Sequence, residues 1–157
     1  CYTVGSLLRD ERLAEHFKDG YLWVFRLSVD DYHRYIYVDN GRESVRRRIP
    51  GVLHTVNPVA NDICPIYKEN TREYSLLKSE HFGTLLMMEG GALIENRPVM
   101  SHVRRGQEKG NFAFGGSTII YMTQKDKVFP DMDILINSAD GIETKVQIGS
   151  RIGKGKN

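Results

Sequence analysis

The chain has 157 residues, of which 40% are apolar and 27% charged, and its formal net charge is +2. This length fits one domain whose core is large enough to fold without disulfides. The small net charge argues against a nucleic-acid-binding domain, which carries a clustered excess of positive charge. The two cysteines, Cys1 and Cys64, make neither a disulfide framework nor a zinc cluster. No apolar run reaches the ~18 residues that a spanning helix needs, and residues 1–20 do not resemble a signal peptide.

The N-terminal segment has the pattern of an amphipathic helix. Its spacing predicts a helix from Gly5 to Lys18, with Ser6 as the N-cap and Gly20 as the stop. Leu13 interrupts an otherwise apolar face of this helix.

From Tyr21 onward the sequence is typical of strands. Two segments rich in aromatic and β-branched residues, Tyr21–Leu27 and Tyr32–Val38, predict the first two strands. The turn sequence Asp39-Asn40-Gly41 favours a hairpin, and Val45–Ile49 would be its returning strand.

Later segments predict further strands, separated by turn sequences such as Pro50-Gly51, Asn57-Pro58 and Cys64-Pro65. The predicted strands are Glu73–Lys78, Phe82–Met88, one on each side of Gly115-Gly116, and Thr144–Ile148 as an edge strand. The tail Ser150–Asn157 should be frayed. We therefore expect a single α+β, β-rich domain over 1–157, with curled antiparallel sheets, sandwich- or barrel-like, and one or two short helices.

The sequence Gly115-Gly116-Ser117-Thr118 can carry unusual chemistry. A serine hydroxyl can attack the preceding carbonyl if the backbone folds tightly, and the two glycines permit such a fold. The resulting ester can eliminate and hydrolyse to a pyruvoyl group, an electrophilic ketone that accepts electrons from an amine substrate. The alternative is a strand bend at Gly-Gly, and these four residues alone favour that alternative.

Two of the five histidines are candidates for proton transfer. His33 lies beside Asp31 and Tyr32 and can act as a general acid or base, or be a surface imidazole paired with Asp31. His54 lies in a turn-rich segment that can cover a pocket, or it is a half-buried loop residue. No spacing of His, Cys, Asp and Glu resembles a metal site, so we expect no metal.

Two basic clusters, Arg46-Arg47-Arg48 and Arg104-Arg105, can contact phosphates or lie on solvated strand faces. An anionic membrane surface would attract them, at about 1 kcal/mol per residue.

Five sequence motifs in chain order resemble the phosphatidylserine decarboxylase proenzymes. They are Asp31-Tyr32-His33-Arg34, Pro50-Gly51-x-Leu53-x-x-Val56-Asn57-Pro58-x-Ala60, Asn70-x-Arg72, Gly91-Ala92, and Arg105-Gly106 continuing to Phe114-Gly115-Gly116-Ser117-Thr118. Each motif is weak alone, but five in the right order are a specific signal.

The resemblance implies self-cleavage between Gly116 and Ser117. Residues 1–116 would form a β chain, and Ser117 would become the pyruvoyl N-terminus of an α chain, 117–157. This pyruvoyl group would form a Schiff base with phosphatidylserine and release CO2, giving phosphatidylethanolamine, and His33 would assist decarboxylation. The expected location is the cytoplasmic face of a membrane, as a peripheral protein; a homodimer is left open.

The sequence departs from the family pattern in three places. The second histidine of the family, credited with activating the serine, is Ile36 here. The family's upstream Ala-Asp-Gly motif is absent, and the start at Cys1 indicates a carboxy-terminal piece of a longer protein. After Gly91-Ala92, Glu95 and Pro98 fit a central strand badly, so we expect a looped-out segment or a local defect in the sheet.

These departures keep three functions open. The first is a phosphatidylserine decarboxylase, and the second a pyruvoyl decarboxylase of a soluble amino acid. The third is an unprocessed, catalytically impaired relative that binds lipid or a partner. Loss of a general base predicts slower self-cleavage, by about 10²–10⁴-fold, unless His33 or His54 substitutes.

Overall fold

The computed structural model describes residues 3–51, 70–91, 93–113 and 115–156. In these ranges the elements are α1 (Val4–Leu8), α2 (Glu11–Glu15), β1 (Leu22–Leu27), β2 (Arg34–Ile36), β3 (Gly41–Glu43), β4 (Arg47–Ile49), β5 (Arg72–Ser79), β6 (Thr84–Gly91), β7 (Ile94–Asn96), β8 (Glu108–Phe112), β9 (Ser117–Met122), β10 (Val128–Pro130), α3 (Met132–Ala139) and β11 (Gly153–Gly155).

The strands form three antiparallel sheets. The main sheet has six strands in the order β1-β9-β6-β5-β3, with β4 also paired to β5. The small sheet has the order β2-β8-β7, and β10 pairs with β11. The predicted class, β-rich α+β with antiparallel sheets and few short helices, is confirmed.

Helices α1 and α2 cover one face of the main sheet. Leu7, Leu8 and Phe17 are buried against a row of apolar side chains from the sheet, which includes Ile49, Tyr74, Leu86, Met88, Ile120 and Met122. This face is a mainly apolar core, because a short amphipathic helix is stable only when its apolar side is packed.

The single helix predicted over residues 5–18 is wrong, because the chain breaks between two short helices. Arg9 adopts the left-handed conformation with φ of 52°, which ends α1. The Asp10 carboxylate then accepts a hydrogen bond from the Leu13 amide at 2.9 Å and starts α2. The cap of α1 is Thr3, with Ser6 completing a capping box.

The small sheet stacks on the opposite face of the main sheet. Tyr35 and Phe112 of the small sheet are buried against Ile119 of β9. Tyr37, just after β2, is buried with Leu77 and Met87. The protein is therefore layered as helices, main sheet and small sheet.

The hairpin predicted at Asp39-Asn40-Gly41 is wrong. Strand β2 pairs with β8, whereas β3 pairs with β5, so the chain passes from one sheet to the other at this corner. The Asp39 carboxylate, 1% exposed, accepts hydrogen bonds from the Ser79 hydroxyl and from the His81 backbone and ring. These bonds fix the change of direction at Asp39, so the segments before and after it do not pair with each other. Residues 47–49 do form a strand, but on β5.

The predictions for residues 144–148 and 150–157 are also wrong. Residues 144–148 form no strand; Glu143 binds Arg26 at 2.7 Å and Thr144 accepts from Asn137 at 3.0 Å, so side chains hold this segment. The tail forms β11 on β10. A Cβ at Gly153 would lie 2.6 Å from the Phe129 carbonyl, so glycine permits this close pairing.

Residues 94–96 form β7, the edge strand of the small sheet, where we expected a defect. Glu95 is exposed and accepts a hydrogen bond from Asn111 at 2.8 Å, and Pro98 follows the strand. An edge strand tolerates both residues, because its outer side needs no ladder hydrogen bonds. The turns Asn57-Pro58 and Cys64-Pro65, and His54, lie outside the described residues. Among the helices that the structure describes, none is long and apolar enough to cross a membrane.

Candidate functional site

Ser117 opens strand β9 and is fully buried between the main and small sheets. Gly115, two residues earlier, has φ of 78°, a left-handed conformation that favours glycine. This turn brings the Gly115 carbonyl within 3.5 Å of the Ser117 hydroxyl, which donates to it. The bend at Gly-Gly therefore exists, and it aims a backbone carbonyl at the serine.

Gly91 provides the room beside Ser117. Gly91 on β6 and Leu27 on β1 are its two cross-strand partners. A Cβ on Gly91 would lie 3.2 Å from the Ser117 Oγ and 3.3 Å from the Phe112 ring. The hydroxyl thus occupies space that a side chain at position 91 would restrict.

His33 reaches the same carbonyl from the small sheet. Its Nε2 lies 2.8 Å from the Gly115 oxygen, and its Nδ1 lies 2.5 Å from the backbone oxygen of Asp31. Because both oxygens only accept, the ring donates to both only when both nitrogens carry a proton. The Phe112 ring and the imidazole form an edge-to-face pair, with centroids 6.4 Å apart.

Asp31 contributes to this site through its backbone rather than as a charged partner of the imidazole. Its exposed carboxylate accepts a hydrogen bond from the Ser28 amide at 2.7 Å and so closes the turn before β2. The turn fixes the Asp31 carbonyl, which in turn orients His33.

The remaining predicted residues are placed differently. Tyr32 is 63% exposed. Thr118 is buried and pairs with Gly90, so it faces the helix side of the main sheet. Gly116 is half-buried between Gly115 and Ser117.

The layer beside Ser117 contains polar groups that the sequence analysis missed. Glu89 and Lys109 are both fully buried and form an ion pair, and Tyr121 lies close enough to Glu89 to feel its charge. Burial, and to a lesser extent the Glu89 charge, raises the pKa of Tyr121, so its hydroxyl stays a donor, here to the Ile36 carbonyl at 3.4 Å. One sequence signal could have indicated this buried ion pair: Glu89 is a charged residue that directly follows the apolar run 85–88.

The basic clusters do not form one surface. The Arg46 guanidinium is buried against Glu43 at 3.0 Å, whereas Arg47 and Arg48 are exposed. Arg104 lines an open groove of about 880 Å³ with Arg42 and Lys78, and no residue of the Ser117 site lines that groove. No group of three or more potential metal ligands occurs among the residues that the structure describes.

Fold and site together define a β-rich protein with a buried, glycine-flanked serine between two stacked sheets. The family model of phosphatidylserine decarboxylase matches residues 1–154. The chain therefore belongs to the phosphatidylserine decarboxylase family.

Similar curated proteins carry the same description. The chain is 45% identical to phosphatidylserine decarboxylase proenzyme 2 of Clostridium acetobutylicum, over 98% of this chain and 54% of the relative. It is 43% identical to the phosphatidylserine decarboxylase proenzyme of Clostridium tetani, over 98% of this chain and 54% of the relative. The chain thus spans about half the length of the curated relatives it matches. The comparison with solved structures gave no match.

Proposed function

We propose that this chain carries the self-cleavage site of a phosphatidylserine decarboxylase proenzyme and that Ser117 becomes a pyruvoyl group. One observation carries the proposal: the Ser117 hydroxyl and the His33 Nε2 both meet the Gly115 carbonyl, at 3.5 and 2.8 Å. The names of its relatives, decarboxylase proenzymes, support the same conclusion.

The burial of Ser117 favours a reaction within the chain. With 0% exposure, its hydroxyl is closed to an external substrate in this state. The carbonyl that it meets, that of Gly115, belongs to its own backbone. A nucleophile held against its own peptide gains the large advantage of proximity.

The proposed cleavage balances as follows. The Ser117 oxygen attacks the Gly116 carbonyl carbon and displaces the Ser117 nitrogen, which gives an ester and a free amine. Elimination removes the Cα proton of residue 117 and breaks the bond between that oxygen and Cβ, so Gly116 leaves as a carboxylate and residue 117 becomes an enamine. A proton added at Cβ converts the enamine into an imine. One water then replaces the nitrogen, which departs as ammonia and leaves a ketone at position 117. When formed, the ketone supplies the electron-accepting carbonyl that decarboxylation of an amine substrate needs.

His33 fits the role of proton donor in both stages. Its Nε2 faces the Gly115 carbonyl next to the reacting peptide, and the Asp31 carbonyl fixes Nδ1. A donor here can protonate a departing nitrogen and, later, the carbon that has lost CO2.

Because Ile36 stands where the family has its second histidine, no residue is assigned as the general base in cleavage. The Ile36 side chain has no group that can accept a proton, and both nitrogens of His33 face carbonyl oxygens. We therefore expect cleavage slower, by about 10²–10⁴-fold, than in a chain with a general base on Ser117.

The proposed substrate is phosphatidylserine at an anionic membrane surface, with the protein on the cytoplasmic face. Three exposed apolar side chains support membrane contact near the site: Val29, Tyr32 and Leu93, at 71%, 63% and 56% exposure. Val29 and Tyr32 lie within four residues of His33 along the chain, and Leu93 lies two residues after Gly91. Apolar side chains at a site rim can enter the headgroup region while a lipid substrate stays in its bilayer.

Intact mass tests the cleavage. The 18.0 kDa chain should split into fragments 1–116 and 117–157, and the second should react with a carbonyl reagent such as phenylhydrazine. Ser117→Ala should leave the chain whole with its melting temperature unchanged. Thr118→Val is the matched control, because it removes the neighbouring hydroxyl on the other face of β9 and should still allow cleavage.

Two outcomes would contradict the proposal. A chain that remains at 18.0 kDa after prolonged incubation would favour the unprocessed, catalytically impaired relative. Cleavage of Ser117→Ala after residue 116 would disprove the serine mechanism. For the split protein, CO2 release from dispersed phosphatidylserine but not from free amino acids would separate the lipid substrate from a soluble one.

A further inference from the structure

The two halves of the site come from different sheets. Ser117 belongs to β9 of the main sheet, and His33 immediately precedes β2 of the small sheet. Their separation therefore depends on the groups that hold the two sheets together.

A buried ion pair joins the sheets close to this site. Lys109 of β8 and Glu89 of β6 have fully buried side chains and contact each other directly. Asn96 of β7 adds a neutral bridge, because its amide donates to Glu73 at 2.7 Å and to Glu89 at 3.5 Å.

Lys109 reaches this position through a β-bulge. Tyr35 pairs with Gly110 and Ile36 pairs with Glu108, so Lys109 is an extra residue between two ladder positions. Lys109 and Gly110 are consequently both buried, which a regular alternating strand does not allow. Bulges re-aim side chains, and this one turns an ammonium group into the space between the sheets.

The pair lies within a few residues of both halves of the site. Glu89 is two residues before Gly91, the cross-strand partner of Ser117. Lys109 is three residues before Phe112, whose amide donates to the His33 carbonyl at 3.0 Å and whose ring packs on the imidazole. Strands β6 and β8 thus connect the pair directly to Ser117 and to His33.

Stability alone does not explain such a pair. Removing two charges from water is costly, and replacing a buried ion pair by apolar groups of similar size is often neutral or stabilising. A directional contact between two sheets does, however, fix their spacing more sharply than apolar packing does.

We propose that Lys109 and Glu89 are positioning residues that set the distance between His33 and the Gly115–Ser117 turn. The inference rests on the proposed function only in calling this turn a reaction site. The geometric claim itself is measurable whether or not the chain cleaves.

The test removes both charges together. Lys109→Met alone would leave the Glu89 carboxylate buried without its partner and lower the melting temperature. The double variant Glu89→Gln/Lys109→Met has no uncompensated charge, so its melting temperature should stay within about 4 °C of the parent. In an otherwise unchanged chain this double variant should cleave about 100-fold more slowly, since a shift of about 1 Å at a reacting group has that size of effect.

A spectroscopic measurement keeps the test independent of cleavage. In a Ser117→Ala background, long-range ¹H–¹⁵N correlation gives the ring ¹⁵N shifts of His33, assigned with His33→Gln. We expect the double variant to move both ring nitrogens, because the contact with the Gly115 carbonyl lengthens. The matched control is Glu43→Gln/Arg46→Met, which removes a second buried ion pair of the same layer; Glu43 lies on β3, three strands from β9 in the main sheet. It should move the His33 shifts less than Glu89→Gln/Lys109→Met does, because the Glu43 and Arg46 side chains hold the opposite edge of the same layer.

The outcomes separate this inference from the proposed function. A parent chain that never cleaves, with His33 shifts that respond to the double variant, would remove the proposed function and keep the positioning role. A double variant with parental shifts and parental cleavage would overturn the positioning role alone. Equal responses of His33 in the double variant and its control would also overturn it, since the effect would then be general loosening.

Discussion

The two faces of the main sheet differ in chemistry although the same strands build both. The face under α1 and α2 is mainly apolar, with Leu86, Met88, Ile120 and Met122 in one cluster. Its buried polar groups include Thr118 and the Arg72 guanidinium, which donates to the Leu7 carbonyl of α1 at 2.9 Å. The face under the small sheet carries Glu89, Ser75 and Ser117, all buried, together with apolar residues. Alternation along β6 and β9 separates the two sets, because successive side chains point to opposite faces.

This difference indicates that the two faces of the sheet have different roles. Burial of a large aliphatic side chain contributes about 1.5–3 kcal/mol, so the helix face supplies stability. Buried charges and hydroxyls contribute little net stability, but each has a preferred partner and direction. The polar face is therefore suited to hold reacting groups at fixed distances, while the apolar face keeps the sheet folded.

The largest expected effect comes from truncation on the apolar face. Leu86→Ala should lower the free energy of unfolding by about 2–5 kcal/mol, because Leu86 is fully buried and leaves a cavity. Urea denaturation measures this loss. Leu76→Ala, at a half-buried neighbour on β5, should lose less. His33 ring shifts in the folded Leu86→Ala protein should match the parent; altered shifts would contradict the separation of the two faces.

Substitutions at two adjacent glycines allow the two faces to be compared directly. A Cβ at Gly91 would press on Ser117 and Phe112 at 3.2 and 3.3 Å, whereas a Cβ at Gly90, on the helix side, would meet only ordinary contacts at 3.8 and 3.9 Å. Gly91→Ala should therefore cost about 1–3 kcal/mol and slow cleavage, by the mechanism of overpacking. Gly90→Ala should change neither by a comparable amount. Equal cleavage rates in the two variants would show that room beside Ser117 does not matter.

The smallest expected effect is a change in acid sensitivity of the polar face. Hydrogen bonds from Arg46, Tyr37 and Ser75 outweigh burial and lower the pKa of Glu43 below its ordinary value of 4.5. A lowered folded-state pKa gives stability that is present above pH 4.5 and is lost as the pH falls toward the folded-state value. Thermal melts between pH 6 and 3 should show this loss.

Glu43→Gln should flatten the dependence of the melting temperature on pH in this range. Glu15→Gln, at an exposed helix position, is the control and should keep the parental slope. A parental slope in Glu43→Gln would mean that other carboxylates dominate acid unfolding.

Local sequence signals predicted much of the chain correctly. Runs of apolar, aromatic and β-branched residues located β1, β5, β6 and β9, because these long strands are themselves built of residues that favour strands. The Gly115-Gly116-Ser117 sequence and the ordered motifs pointed to the serine and to His33, which the structure brings to one carbonyl. Short-range patterns missed α3 and the pairing of β10 with β11, which joins segments more than twenty residues apart.

By itself the sequence determined the family and the β-rich class and predicted the candidate serine, since these depend on residue types and their order. The tertiary structure decided which strands pair, which side of each strand is exposed to solvent, and how the sheets pack on each other. The hydrogen bonds of Asp39 direct the chain from one sheet to the other, and the bulge at Lys109 places its charge between the sheets. No local sequence pattern predicts either feature. Both depend on partners distant in sequence, Ser79 and His81 for one and Glu89 for the other, and such contacts exist only once the sheets have stacked.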